Sequence, residues 1–180
     1  MSIVEVSNKV SGLYQHLDVI AVDGSVRESY GPFPNLITDW GMDEIGKSTQ
    51  PGTTVPVAFL QYFKWGSGNA TPAVTDTTLQ NQIGQIAATG TTRGVYGASP
   101  YGTYAQPNAL TAPFPTAAIV AELGFGDDTN VFSRTLVKDA LGNPTTISVQ
   151  EGERLRVSYR FNWMADEVDG TATISVDDEG

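Results

Sequence analysis

The sequence predicts an all-β protein, an antiparallel β-sandwich of jelly-roll type with two short helices and a long central loop. Three observations favour this fold class. The 180 residues suffice for one domain with its own core. Threonine, valine and aromatic residues are frequent, whereas long stretches of helical periodicity are missing. The segment 154–163 alternates strictly between apolar and polar residues, which places five apolar side chains on one face. We therefore treat 1–180 as a single β-sandwich domain.

Further strands are predicted on both sides of the chain's middle. Asp23 and Gly24 separate the apolar runs 13–22 and 26–30, and Asp-Gly between two such runs favours a hairpin. The run 55–65 is apolar on both faces, which indicates a central strand. The remaining predicted strands are 131–137, 145–149 and 171–176, and the first two form an antiparallel meander with 154–163.

Two short helices are predicted within this β context. Thr38 is placed to cap a helix over 39–45, with acidic residues near its start and Gly46 at its end. Thr75 or Asp76 is placed to cap a second helix, which runs through Ile83 and ends at Gly84. We expect both helices to close an end of the sandwich or to cover a sheet edge.

The middle of the chain is poor in charge, because Arg93 is the only charged residue within 77–121. Part of this region, 94–115, is rich in proline and tyrosine and predicts a long loop or arm. Disordered segments have the opposite composition, so we expect this loop to be ordered. It docks either on a neighbouring subunit or on its own domain. The predicted subunit or partner contacts are Tyr96, Tyr101, Tyr104 and Phe114.

The charge balance limits the function classes. Ten Lys and Arg residues stand against twenty Asp and Glu residues, which gives a net charge of −10. Nucleic acids and anionic membranes attract clustered cations, so we predict binding to neither. No apolar run reaches the roughly 20 residues of a membrane span, and the first residues lack a secretory signal pattern. We expect the acidic C-terminal segment, 165–180, to be solvated and to keep copies apart.

No catalytic, cofactor-binding or metal site is predicted. The chain lacks cysteine, and its single histidine, His16, lies within the first predicted strand. A Ser-His-Asp triad would have to use it, and the chain contains no Gly-x-Ser-x-Gly elbow. Asp127 with Asp128, and Glu151 with Glu153, stand in turns, where acids usually hydrogen-bond the backbone. Acid–base catalysis and calcium binding are the alternatives for these pairs.

Several motifs together resemble virion proteins of tailed bacteriophages. Residues 36–43, L-I-T-D-W-G-M-D, resemble the element N-L-(I/V)-T-x-x-G-(L/M)-(D/N) of that group. Residues 66–79 are similar to its stretch G-x-G-x-x-x-P-A-x-x-D-T-x-L. The segments 121–126 (A-E-L-G-F-G), 131–136 (V-F-S-R-T-L) and 142–147 (G-N-P-T-T-I) are similar to its C-terminal half. The resemblance extends over roughly 13–161, most of the chain.

This resemblance implies a small, β-rich, non-enzymatic structural protein of the phage particle, located in the tail, tail fibre or collar. The expected partners are other copies of the chain and other virion proteins, without a cofactor. The expected location is the virion, after synthesis in the host cytoplasm. Two alternatives stay open, a head decoration protein and a receptor-binding tip whose aromatic residues bind host-surface glycan. A third is a glycan depolymerase that uses Asp127, Asp128 or Glu122.

Overall fold

The computed structural model describes residues 8–48, 58–96 and 102–165. It is mostly β, and its strand pairs are antiparallel, as predicted. The helix is α1 (Asp39–Ser48), and a 3₁₀ turn covers Ala58–Leu60. The strands are β1 (Asn8–Ile20), β2 (Val26–Tyr30), β3 (Phe33–Pro34), β4 (Leu36–Ile37), β5 (Tyr62–Gly66), β6 (Gln82–Ala87), β7 (Thr89–Tyr96), β8 (Gly102–Leu110), β9 (Ala118–Val120), β10 (Glu122–Gly126), β11 (Val131–Leu136), β12 (Ile147–Val149) and β13 (Arg154–Ala165).

Two large sheets contain most of these strands. Sheet A has the order β2-β1-β13-β8-β7, and β3 also pairs with β1. Sheet B has the order β4-β11-β10-β5-β6, so β5 lies inside the sheet as predicted. The strand predicted over 55–65 begins only at Tyr62, because Ala58–Leu60 forms the 3₁₀ turn. The strands β9 and β12 form a small sheet of their own. The first and last described strands, β1 and β13, thus lie side by side within sheet A.

The core joins the two sheets through aromatic contacts. The rings of Phe125 in sheet B and Tyr159 in sheet A stack with centroids 4.9 Å apart. Phe132 of sheet B meets Phe161 of sheet A edge-on at 5.2 Å. Tyr159 and Phe161 belong to the alternating segment predicted from the sequence, and its apolar side chains do face this core. Each such buried side chain contributes about 1.5–3 kcal/mol by leaving water.

Two local predictions are confirmed at the hairpin and the first helix. β1 and β2 pair as an antiparallel hairpin, with Gly24 at the turn at a φ of +87°. The Thr38 hydroxyl accepts the Gly41 N–H at 3.1 Å and so caps α1. The helix continues past Gly46 to Ser48, so the predicted end at Gly46 is wrong. A Cβ at Gly41 would lie 2.4 Å from the Phe132 carbonyl oxygen, which explains how closely α1 packs on β11.

The second predicted helix, over 75–83, is not formed. Residues 71–81 form a loop, and β6 begins at Gln82. Asp76 accepts the Ala73 N–H at 2.8 Å rather than capping a helix that follows it. The N–H groups of Gln80 and Asn81, which a helix would bond internally, donate to the Glu122 carboxylate.

The predicted meander of 131–137, 145–149 and 154–163 is also wrong. β11 belongs to sheet B, β13 belongs to sheet A, and β12 pairs with β9. The reason is the core, because Phe132 on β11 and Phe161 on β13 face each other across it. Strands whose apolar faces meet in this way lie in opposing layers rather than side by side.

The predicted long loop over 94–115 is mostly strand where the structure describes it. β7 extends to Tyr96, and β8 occupies Gly102–Leu110. The strand tolerates Pro107, which lacks an N–H, because Pro107 lies beside a register shift between Thr89 and Thr92 of β7. The predicted strand 171–176, the acidic segment beyond residue 165 and residues 55–57 lie outside the described residues.

Candidate functional site

The candidate contact surface lies where each sheet ends in a strand that pairs with no further strand among the described residues. β6 is the last strand of sheet B, and β7 is the last strand of sheet A. A single residue, Ala88, connects them, so both edges lie on the same side of the molecule. We name residues 82–96 the neutral strip, because Arg93 is their only charged residue.

The neutral strip exposes apolar side chains together with backbone groups. Val95 is 74% exposed and Ile83 is 45% exposed. Edge strands present unpaired N–H and C=O groups, and proteins usually protect them with charge, short length or a covering segment. Sheet B protects its opposite edge in this way, since β4 has only two residues and α1 packs on the neighbouring β11. The strip is therefore the edge best suited to pairing with another chain.

Two of the four predicted contact residues lie on the outer face of sheet A. Tyr96 on β7 and Tyr104 on β8 have ring centroids 5.6 Å apart. Phe114 is instead buried, with its ring centroid 5.8 Å from that of Trp65. Its ring is thus a core element, not a surface available to a partner. Tyr101 lies outside the described residues.

A hydrogen bond holds one of the two tyrosines and a cation–π contact holds the other. The Tyr96 hydroxyl donates to Asn162 Oδ1 at 2.7 Å. The Arg160 guanidinium lies 4.8 Å from the Tyr104 ring centroid and donates to Gln106 Oε1 through Nη2 at 2.9 Å. These contacts link β7, β8 and β13 on one face.

One acid of each turn, Asp127 and Glu153, acts as a structural group. Asp127 Oδ1 accepts the N–H groups of Thr129 and Asn130 at 2.8 and 2.6 Å, so it closes its own turn. Glu153 accepts Arg27 Nε at 2.7 Å. Burial alone would raise the pKa of Glu153, but bonds from the Gln150 N–H and from Arg27 hold the pKa below its ordinary value.

A buried lysine lies near the first of these turns. Lys64 is fully buried on β5, and its ammonium donates to the Asp128 carbonyl oxygen at 3.2 Å. Burial lowers the pKa of Lys64, against the attraction of the Asp127 and Asp128 carboxylates. The lysine thus compensates the negative charge of this turn from inside the sheet.

A second buried set of charges is named here the clasp: Glu122, Arg134 and Asp76. Glu122 is fully buried on β10, and Arg134 on β11 donates to its carboxylate through Nε at 2.9 Å. Arg134 also donates to Asp76 at 2.6 Å and to the Ala70 carbonyl at 3.0 Å. The clasp therefore ties the loop 67–81 onto the outer face of sheet B.

Backbone N–H groups complete the coordination of Glu122. Its carboxylate accepts the N–H of Gly68 at 3.0 Å, of Gln80 at 3.0 Å and of Asn81 at 2.7 Å. A Cβ on Gly68 would lie only 2.4 Å from Glu122 Oε1, so this close approach requires glycine. With its acceptor sites occupied by the protein, the carboxylate has a structural role rather than an exposed catalytic one.

The remaining candidate, His16, is exposed on the outer face of sheet A, where it faces Ser158 across the strand pair. Within the described ranges, no group of three His, Cys, Asp or Glu side chains is arranged to hold a metal ion. In the same part of the chain, no helix has the length and apolar character needed to cross a membrane.

Sequence reasoning missed the clasp, and partner contact at Tyr96 and Tyr104 stays a prediction. A signal was present, since Glu122 and Arg134 are the only charged residues of two strands that are buried throughout, and they have opposite charges. Charged residues in buried strands are usually paired, and this rule points to a partnership between them.

No family model, no curated protein and no solved structure matches the chain.

Proposed function

We propose that the chain is a structural, non-enzymatic component of a tailed-phage virion, present in several copies in the tail, tail fibre or collar. The observation that carries the proposal is where the motif residues of the resemblance lie. Gly68 and Asp76 come from one motif, Glu122 from a second and Arg134 from a third, and the four meet in the clasp. These motif residues thus share one structural role, which is to hold the loop 67–81 on sheet B.

The other motif residues support the same interpretation. The Thr38 hydroxyl donates to the Val131 carbonyl at 2.7 Å and caps α1, while Gly41 lets that helix approach β11. These contacts are internal to the fold, as expected for motif residues of a structural protein. The proposed absence of enzymatic activity rests on this use of the motif residues.

We further propose the jelly-roll sandwich as the architecture. Two antiparallel sheets meet through aromatic rings, and the first and last described strands are neighbours in sheet A. Over its described part the chain passes from one sheet to the other four times, after β3, β6, β8 and β11. Repeated crossing between two antiparallel sheets is typical of Greek-key sandwiches, of which the jelly roll is one.

The distribution of charge supports assembly from several copies. Seven of the twenty acidic residues, but none of the ten basic ones, lie in 1–7 and 166–180. Along the sequence the acids are therefore unevenly distributed, and 77–92 has no charged side chain through which two copies would repel each other.

Labelling of intact particles tests the proposal. Phage particles are purified on a density gradient from cells that express the gene, and an antibody against the purified chain is applied with gold detection. We expect label at the tail, tail fibre or collar, and the chain in the particle digest by mass spectrometry. Label on the capsid shell would instead favour the head decoration alternative. Absence of the chain from the particles would overturn the proposal.

A glycan-binding tip is the second candidate, favoured by the outer face of sheet A. Tyr96, Tyr104 and Arg160 combine aromatic and cationic groups on one ordered, partly exposed surface. A glycan array with the isolated protein separates the candidates. A purely structural component should bind none of the glycans. A receptor-binding tip should bind some of them, and the Tyr104→Ala variant should lose this binding.

A further inference from the structure

The free edge of β6 has a defined set of outward-facing backbone groups. The Ala88 N–H donates to the Gln61 carbonyl beside β5 at 2.6 Å. Successive residues of an antiparallel strand alternate in direction, so Ile86 and Gly84 also turn their backbone groups towards β5. The backbone groups of Gln85 and Ala87 consequently point away from the sheet and face an added strand.

A second observation limits where a partner strand can pair. The register between β5 and β6 shifts at Gly66, because Trp65 faces Gly84 while Gly66 faces Gln82. Ile83 is therefore the extra residue of a bulge, and regular pairing is available only from Gly84 onwards. The chain then leaves sheet B at Ala88 to begin β7. This leaves a short regular segment centred on Ile86.

The charge of the protein indicates which partner fits this segment. The chain carries a net charge of −10, yet residues 77–92 contain no charged side chain. One acid lies beside this segment, Asp128, whose carboxylate accepts the Gln85 Nε2–H at 2.7 Å, and the buried Lys64 offsets the charge of that turn from inside the sheet. A basic partner would therefore meet little uncompensated negative charge, and an acidic partner would gain nothing over the rest of the surface. A second copy meets the same nearly neutral surface, so approach at β6 reduces the like-charge repulsion between copies.

We infer that two copies of this chain pair antiparallel through β6, about a two-fold axis at Ile86, and so join their B sheets into one. In this register Gln85 lies opposite Ala87 of the second copy, and Ala87 lies opposite its Gln85. Each pair exchanges two hydrogen bonds, because these residues have the outward-facing groups. The Ile86 side chains, partly buried against each core, meet at the axis.

The inference rests on the proposed function, which requires contact between copies, and it names the surface that provides this contact. The interface is isologous, since each copy contributes the same strand.

A cysteine-pairing experiment tests the register. The natural chain has no cysteine, so Gln85→Cys and Ala87→Cys each introduce the only thiol. Opposed residues have Cα atoms about 5.5 Å apart, within the roughly 4.4–6.8 Å that a disulfide spans. Identical residues of the two copies lie on a diagonal, about 7–8 Å apart. An oxidised mixture of the two variants should therefore form a disulfide-linked dimer, and each variant alone should form little.

The same pairing predicts how much dimer forms in each sample. We expect at least a tenfold excess of linked dimer in the mixture over either single variant on a non-reducing gel. Equal linking in all three samples, or none in the mixture, would overturn the proposed register and with it the inference.

A proline substitution tests the hydrogen bonds without relying on a thiol. Ala87→Pro removes an outward-facing N–H that β5 does not use, and edge strands tolerate such a proline. Ala117→Pro is the matched control, at an exposed alanine outside the neutral strip. In analytical ultracentrifugation the wild type and the control should sediment as dimers, and Ala87→Pro as a 19.2 kDa monomer with an unchanged circular dichroism spectrum. A folded Ala87→Pro variant that still dimerises would refute the pairing.

The two proposals fail in distinguishable ways. If the particles contain the chain but the cysteine mixture does not link, the β6 pairing is wrong and the proposed function stands. If the mixture links as expected but the particles lack the chain, the pairing stands and the virion role is wrong.

Discussion

The loop 67–81 and the neutral strip 82–96 are consecutive segments of equal length, and each contains a single charged residue, Asp76 in the first and Arg93 in the second. The two segments differ in their contacts with the rest of the fold. The clasp holds the loop against sheet B, and the backbone N–H groups of Gln80 and Asn81 end on one buried carboxylate. The strip, by contrast, forms two free edges with exposed apolar side chains.

The difference arises outside both segments. Glu122 lies about forty residues beyond the loop in the chain, and Arg134 lies further still. Both side chains nevertheless form hydrogen bonds with residues of the loop. In the described part of the chain one charged residue reaches the strip from outside, Asp128, whose carboxylate accepts the Gln85 Nε2–H at 2.7 Å, and it binds no backbone group there. Similar local composition therefore produces a fixed loop in one case and an open edge in the other.

The largest effect is expected from Glu122→Ala, which removes the acceptor at the centre of the clasp. Arg134 and three N–H groups would be left buried without their partner, which should lower the free energy of unfolding by about 3–5 kcal/mol. Denaturant unfolding followed by tryptophan fluorescence measures the loss.

Glu151→Ala provides the matched control for this substitution. Glu151 is an exposed turn residue, so its removal should change stability by no more than about 0.5 kcal/mol. Equal losses for the two variants would mean that the clasp does not hold the loop.

A smaller loss is expected from Gly68→Ala, which crowds the clasp without removing a charge. The added methyl group would lie 2.4 Å from Glu122 Oε1 and 2.5 Å from the Gln80 Cβ, so the loop must move. Overpacking of this kind costs about 1–3 kcal/mol. Thermal unfolding should show the decrease, whereas Gly46→Ala, with open space around its Cβ, should leave stability unchanged or slightly increased.

Acid should weaken the loop through Asp76. Burial alone would raise the pKa of Asp76, but the Ala73 N–H and the Arg134 guanidinium outweigh burial and hold it below the ordinary value. A lowered pKa means that the ionised form stabilises the fold above the ordinary carboxyl pKa of about 4, and that this stability is lost as pH falls through the lowered pKa.

Asp76→Asn tests this dependence. The variant should be less stable than the wild type at pH 7, and the difference should shrink below about pH 4. Urea unfolding at several pH values between 7 and 2 measures how the unfolding free energy of the variant and of the wild type depends on pH. The uncharged substitution Thr78→Ala is the control, and its pH dependence should follow that of the wild type. A difference that is constant from pH 7 to pH 2 would contradict the assigned role of Asp76.

The smallest effect on stability is expected in the strip, from Val95→Lys. Val95 is 74% exposed, so the change in unfolding free energy should stay within about 0.5 kcal/mol. Lysine on a free edge opposes edge-to-edge association, so light scattering of a warmed, concentrated sample should rise more slowly. Val22→Lys, at a hairpin turn and equally exposed, should scatter like the wild type. If both variants slow aggregation alike, net charge rather than the free edge is responsible.

Elements with a local signal were predictable from the sequence. The alternation of β13 depends only on neighbouring residues, and the β1–β2 hairpin depends on Asp23 and Gly24. The Thr38 cap is likewise set within one helical turn. In these cases the residues that determine the structure are adjacent in the chain, so the pattern contains the necessary information.

Elements that depend on distant partners were not predictable in the same way. Thr75 and Asp76 have the pattern of a helix cap, but Arg134 binds the Asp76 carboxylate from another strand. The composition of 94–115 suggested a loop, yet 94–96 and 102–110 are strands of sheet A, and only 111–115 of the described residues are irregular. Phe114, expected at a contact, packs on Trp65 because the chain returns over the core there.

The pairing of β1 with β13 has a consequence for biosynthesis. Asn8 faces Ala165 across this pair, so the two strands at the centre of sheet A are separated by almost the whole described chain. Contacts of such large sequence separation slow folding, because a long loop must close before they form. Sheet A cannot assemble until residues 154–165 have left the ribosome, so the nascent chain should remain dependent on chaperones until late in translation.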